Sequence, residues 1–127
     1  MRDELEQKLM EDFPFMEAKS FFDGERLGYC VPCEFSDGWF DIIYNLCKEI
    51  NELYKSKGRN INDLNIEQVK EKYGELRFYV GNYIDGVMEI IDKYEALSCK
   101  TCEVCGKEGK LTGKRWVRTL CDECCKV

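Results

Sequence analysis

Cys102-x2-Cys105 and Cys121-x2-Cys124 are separated by fifteen residues near the end of the chain. This doubled spacing constrains the fold more than any other feature. A C-x-x-C turn presents two sulfurs to one side, and two such turns surround one tetrahedral zinc ion with four thiolates. The stretch from residue 99 to 127 is too short and too polar to bury a core of its own, and a metal can replace one. The expected ligands are therefore Cys102, Cys105, Cys121 and Cys124, holding one structural Zn2+. Cys99 lies three residues before Cys102 and Cys125 adjoins Cys124, so each competes for a place in the set. Gly106 permits a tight turn after the first pair, and Gly109, Gly113, Trp116 and Val117 suit a short hairpin between the pairs.

A four-sulfur shell leaves no open coordination position, which argues against a catalytic metal. The chain also contains no histidine, so Ser-His and Cys-His mechanisms have no base. Neither GxxxxGK[ST] nor GxGxxG occurs in the sequence, and phosphate-loop and dinucleotide folds find no support. The expectation is a binding module and not an enzyme.

The 127 residues suit one compact domain or one core with a small appendage. The opening MRDELEQKLMEDF has charges of both signs and no apolar segment, so no signal peptide is expected. No apolar run approaches the roughly 20 residues of a membrane span. Nine cysteines without secretion point to metal or free thiols in a reducing cytoplasm. Residues 1–98 carry 12 basic and 21 acidic side chains, a balance of −9, whereas residues 99–127 carry 7 and 4, a balance of +3. An acidic body with a slightly basic tail does not favour general nucleic-acid affinity.

Hydrophobic spacing supplies the rest of the fold. Leu5 and Leu9 suggest a short helix over residues 3 to 11, stopped by Phe13-Pro14. Residues 27 to 35 read as one extended strand. Trp39, Ile43, Leu46, Ile50 and Leu53 recur at helical spacing within Ser36 to Lys57, with Ser36 or Asp37 as the start and Gly58 as the stop. In residues 66 to 81 the second half, Leu76 to Val80, alternates as a strand, while Ile66, Val69 and Tyr73 suit either a short helix ended by Gly74 or a first strand. In a hairpin turning at Tyr73-Gly74, Val69 would face Phe78 on the core side and Lys70 would stand opposite Arg77 on the other. Ile84, Val87, Met88, Ile91 and Tyr94 mark a second amphipathic helix from Asn82 to Leu97.

Other constellations are weaker. Cys30-Val31-Pro32-Cys33 repeats the C-x-x-C spacing, but redox chemistry needs a strand-to-helix turn there and the residues read as extended chain. Buried thiols are the simpler reading, with a metal half-site involving Cys47 or Cys99 as the rival. Lys70, Arg77 and Tyr79, with Lys72, could face a nucleotide-like small ligand, or could be a solvated face paired with Glu71 and Glu75. Lys110, Lys114, Arg115 and Arg118 could serve a nucleic-acid-binding regulator.

Several segments together resemble a family of small uncharacterised phage and prophage proteins. They are Asp37-Gly38-Trp39 with Leu46-Cys47, Val69-Lys70-Glu71-Lys72-Tyr73-Gly74 running into Leu76-Arg77-Phe78-Tyr79, and Cys102-Glu103-Val104-Cys105-Gly106 with Thr119-Leu120-Cys121. The resemblance covers most of the chain from Ser36 onward. It implies a phage-type origin and a strand before the Lys-Glu-Lys stretch, which favours the hairpin over the helix for residues 66 to 81, and brings no settled activity.

The combined expectation is an α+β fold: two amphipathic helices on a small antiparallel sheet form an acidic body over residues 1–98, followed by a zinc-ribbon-like knuckle over 99–127. The expected function is a non-enzymatic, zinc-stabilised accessory protein that binds a protein partner, host or phage. Its acidic body suits a basic surface, including a host protein's nucleic-acid groove that it would inhibit by mimicry.

Overall fold

The computed structural model describes residues 1–126. Helix α1 (Asp3–Asp12) begins with Asp3, Glu4 and Glu6 at its positive end and stops at Phe13 before Pro14. A 3-10 turn over Pro14–Met16 then buries Phe15 and Met16. Strands β1 (Glu17–Lys19) and β2 (Arg26–Cys30) make an antiparallel ribbon.

The single strand expected over residues 27 to 35 is two. Chain direction changes at Val31-Pro32, where proline has no amide to continue a ladder. After it, β3 (Cys33–Glu34) leaves β1 and pairs in parallel with β4, Cys33 beside Val69. The other pairings in the sheets are antiparallel.

Helix α2 (Phe40–Ser56) follows a 3-10 turn over Asp37–Trp39. Its buried Ile42, Ile43, Leu46, Cys47, Ile50 and Tyr54 hold the three-and-four spacing of one helical face. Trp39, Ile43, Leu46 and Ile50 are fully buried, and each such side chain contributes roughly 1.5 to 3 kcal/mol. Neither Ser36 nor Asp37 caps the helix with its side chain; Asp37 instead pairs with Arg2 at 2.8 Å. Gly58 follows the helix at φ +63, the left-handed stop that its position suggested.

Strands β4 (Asn65–Lys72) and β5 (Glu75–Gly81) form the central hairpin, turning at Tyr73 and Gly74 with φ of 56 and 79. Two positive φ values in a two-residue loop match the right-handed twist of the strands. Val69 pairs with Phe78 and Lys70 with Arg77, as the alternation required. An extra residue at the Ile66/Gln68 shift bends the far end of β4.

Helix α3 (Val87–Ser98) starts five residues later than expected, because Gly86 at φ +101 and Asn82 at φ +52 hold the preceding chain in turns. It lies along the outer edge of β5. Ser98 Oγ accepts from the Leu76 amide at 2.9 Å and Glu95 accepts from the Phe78 amide at 3.0 Å, so helix side chains satisfy that edge. One hydrophobic cluster joins α1, α2, α3 and the hairpin through Leu9, Ile50, Val69, Leu76, Phe78 and Ile91. A second, smaller ribbon, β6 (Lys110–Thr112) with β7 (Arg118–Leu120), precedes the short helix α4 (Asp122–Cys125). Among the described residues no helix is long and apolar enough to cross a membrane.

Candidate metal centre

The first C-x-x-C turn is folded by its own backbone. The Gly106 amide donates to the Cys102 carbonyl at 2.9 Å, the Cys102 amide donates to Lys107 at 2.7 Å, and Gly106 sits at φ +82. The second turn is the start of α4, where the Cys121 sulfur accepts from the Cys124 amide at 3.4 Å. Ribbon β6–β7 spans the interval and returns Cys121 to Cys102, with the Glu103 amide donating to Thr119 at 2.9 Å.

These turns bring the sulfurs of Cys102, Cys105, Cys121 and Cys124 within 4.8 Å of one another. The Cys105 and Cys121 sulfurs are 3.6 Å apart. A tetrahedron with metal–sulfur bonds of about 2.3 Å has edges of about 3.8 Å, so the four donors already stand at the separation that one metal ion needs. Among the described residues they are the only group of three or more metal-ligating side chains whose donor atoms converge. Cys99 points its thiol at the Glu95 carbonyl, 3.8 Å away, and stays outside the set.

The charges point the same way. Burial resists ionisation of Cys102, but the amides of Cys105, Cys121 and Val104 outweigh it and bring the thiol down to about 6. Cys124 is pushed up to about 12, chiefly by its sulfur neighbours Cys121 and Cys102. One thiolate forms readily and a second is opposed. A divalent cation removes that opposition, and the donor set therefore fits a metal ion.

Sequence spacing gave no sign of how firmly the knuckle is fixed to the body. Gly38 donates its amide to the Glu103 carbonyl at 2.7 Å, and Trp39 Nε1 donates to the Thr101 carbonyl at 2.8 Å. Glu103, only 5% exposed, accepts from the Ser36 amide at 3.0 Å and from Arg118 Nε at 3.1 Å. On the other side, buried Thr119 donates to the Gly74 carbonyl at 2.7 Å. The knuckle thus joins the start of α2 to the turn of the central hairpin.

The remaining candidates lie elsewhere. Cys30, Cys33 and Cys47 are buried in the main core. A hydrogen bond with Cys30, followed by burial, pushes the Cys33 thiol up, and burial does the same to Cys47, so both are neutral thiols. Lys70 stands across the hairpin from Arg77, and Tyr79 across from Gln68. Arg77 lies 3.6 Å from Glu75 with its Nε buried and unbonded. Lys110, Lys114 and Arg115 are exposed on the second ribbon and its loop, while Arg118 is held by Glu103.

Compared with models of protein families, with curated proteins and with solved structures, the chain matches none.

Proposed function

We propose that the chain is a non-enzymatic, zinc-stabilised accessory protein, of the phage and prophage type that its segments resemble, which binds a partner protein. Four thiolates form a soft, tetrahedral donor set that suits zinc, and all four coordination positions are taken by protein. The metal's role on this reading is to hold the knuckle against α2 and the central hairpin.

One observation carries the partner reading: Phe21 and Phe22, at the tip of the β1–β2 ribbon, are 100% and 99% exposed. The tip is held by its own polar groups, Ser20 donating to Glu25 at 2.8 Å, Gly24 to Ser20 at 3.0 Å, and the Glu25 amide to Asp23 Oδ1 at 2.9 Å. Neither phenyl ring is needed for the fold. A preorganised turn presenting two bare aromatics is suited to enter an apolar pocket.

Charge selects the kind of pocket. Asp23 and Glu25 flank the rings, whereas Lys19 is bonded to the Asn62 carbonyl and Arg26 to Glu17 and Asn62. An anionic bilayer would repel such a tip. A protein pocket rimmed by Lys and Arg suits it, in keeping with the acidic body.

Two measurements test the reading. Elemental analysis of protein prepared without added metal should find one zinc per chain; another metal, or none, overturns the zinc assignment. A displayed library of random short peptides should yield binders with an aliphatic or aromatic anchor beside Lys or Arg. Their loss on Phe21→Ser/Phe22→Ser, with stability unchanged, supports the tip, and binders indifferent to that change exclude it.

A further inference from the structure

A second pair of exposed aromatics lies at the basic end of the molecule. From Gly109 to Cys121 the chain carries Lys110, Lys114, Arg115 and Arg118 and no carboxylate. Arg118 is engaged by Glu103, but Lys110, Lys114 and Arg115 enter no ion pair among the described residues. Between them Trp116 is 85% exposed, whereas Trp39 is fully buried.

The turn of the central hairpin meets this ribbon. Thr119 Oγ1 bonds the Gly74 carbonyl at 2.7 Å, and a Cβ placed on Gly74 would come within 2.6 Å of a Leu111 methyl and 3.2 Å of the Arg118 carbonyl carbon. Next to Gly74, Tyr73 is 72% exposed with Lys72 Nζ over its ring at 5.6 Å. The ribbon loop therefore carries bare Trp116 with Lys114 and Arg115, and the adjoining turn carries bare Tyr73 with Lys72, where Glu75 pairs across from Lys72 and Glu71 accepts from the Gly74 amide. Lys110 lies on the ribbon face away from Gly74, because Leu111 and its partner Thr119 take the near one.

We propose that this end binds single-stranded nucleic acid, with bases stacking on Trp116 and Tyr73 and phosphates meeting Lys114, Arg115 and Lys72. Aromatic rings accept any unpaired base, and cations beside them follow the backbone. The net charge of −6 does not forbid this. Charge farther away than a Debye length of about 8 Å is largely screened at physiological salt, so a strand centred on the ribbon loop feels chiefly Lys114 and Arg115, with Glu71 and Glu75 confined to the Tyr73 turn. A duplex or an anionic bilayer is broad and stiff, and brings its charge against the acidic body as well. The acidic body thus selects for a thin, flexible strand. This inference goes beyond the partner-protein reading and uses a different surface from the Phe21–Phe22 tip.

The test is titration of the zinc-loaded full chain with oligothymidylate at low salt, followed by tryptophan emission and by anisotropy of the labelled strand. Because Trp39 is buried, quenching reports Trp116. Saturable quenching is expected, with log K falling against log salt at a slope of about −2 for three phosphates. Trp116→Ala should weaken binding about tenfold and Trp116→Phe should largely restore it. Lys114→Glu/Arg115→Glu should weaken binding further and flatten the salt slope. Phe21→Ser/Phe22→Ser should bind the strand like the parent chain, which separates this site from the partner reading. The proposal is overturned by no saturable binding at low salt, by binding indifferent to the Trp116 and Lys114/Arg115 changes, or by equal affinity for a duplex. Equally tight binding to phosphatidylserine vesicles overturns it in favour of a membrane surface.

Discussion

The amide of Gly38 donates to the carbonyl of Glu103 at 2.7 Å, so the residue that leads into α2 is bonded directly to the residue after the first metal-ligand candidate. No side chain fits between them. A Cβ on Gly38 would fall on the carbonyl oxygens of Cys102 and Glu103. These are backbone atoms and cannot turn aside. Gly38→Ala should therefore separate the knuckle from α2 at a cost of about 2 to 3 kcal/mol, within the range for overpacking a close contact. Urea unfolding should show the loss, and the Trp39 indole, bonded to Thr101, should become accessible to quenchers.

Metal removal should act on the knuckle first. Four clustered sulfurs and a three-residue-by-three-residue ribbon hold residues 101 to 125 together, whereas α2 and the central hairpin share the main hydrophobic cluster. Chelation should expose four thiols per chain to a thiol reagent while the helical circular dichroism signal changes little. Cys102→Ser or Cys121→Ser should abolish tight metal retention, and Cys99→Ser or Cys125→Ser should leave it intact. A chain whose helices melt on chelation would show that the body depends on the metal too.

How much of this was legible depended on whether local pattern or distant partners decide each element. Helix α2 follows from periodicity. The Val69–Phe78 and Lys70–Arg77 pairs follow from the turn at Tyr73 and Gly74 only once residues 66 to 72 are taken as strand, since Ile66, Val69 and Tyr73 fit a helical spacing as well. The four converging cysteines follow from spacing, because a C-x-x-C turn fixes both sulfurs locally. The break of the first extended segment at Pro32 and the parallel bridge of Cys33 to Val69 depend on a strand 36 residues away. Buried Glu103 was invisible for the same reason: a carboxylate in a polar tail reads as solvated until Ser36 and Arg118 are seen to bond it.

Ser98 provides a local test of how α3 covers the sheet edge. Its hydroxyl, fully buried, accepts from the Leu76 amide at 2.9 Å. Ser98→Ala leaves that buried amide without a partner, which costs about 1 to 3 kcal/mol although only one oxygen is removed. Hydrogen exchange at Leu76 should speed up selectively. Ser98→Thr, which keeps the oxygen, should recover part of the loss.

Alkaline pH should weaken the contact between α2 and α3 through Tyr94. Its hydroxyl donates to Glu49, which also pairs with Lys93 at 2.6 Å. Burial, then the bond to Glu49, raises the Tyr94 pKa to about 12, above its ordinary 10. A proton held more tightly in the folded chain stabilises it fully below pH 10, and that contribution is lost as pH rises through 12. Glu49 behaves in the opposite sense: bonded to Lys93 and Tyr94, it is lowered from 4.5, so its contribution is present above that value and lost on acidification. Both groups are half-buried and still reached by water, so screening should hold each effect to about 1 kcal/mol. Urea midpoints of the parent chain and of Tyr94→Phe, measured from pH 8 to 12, should converge at the alkaline end only if the Tyr94 proton is the stabilising element.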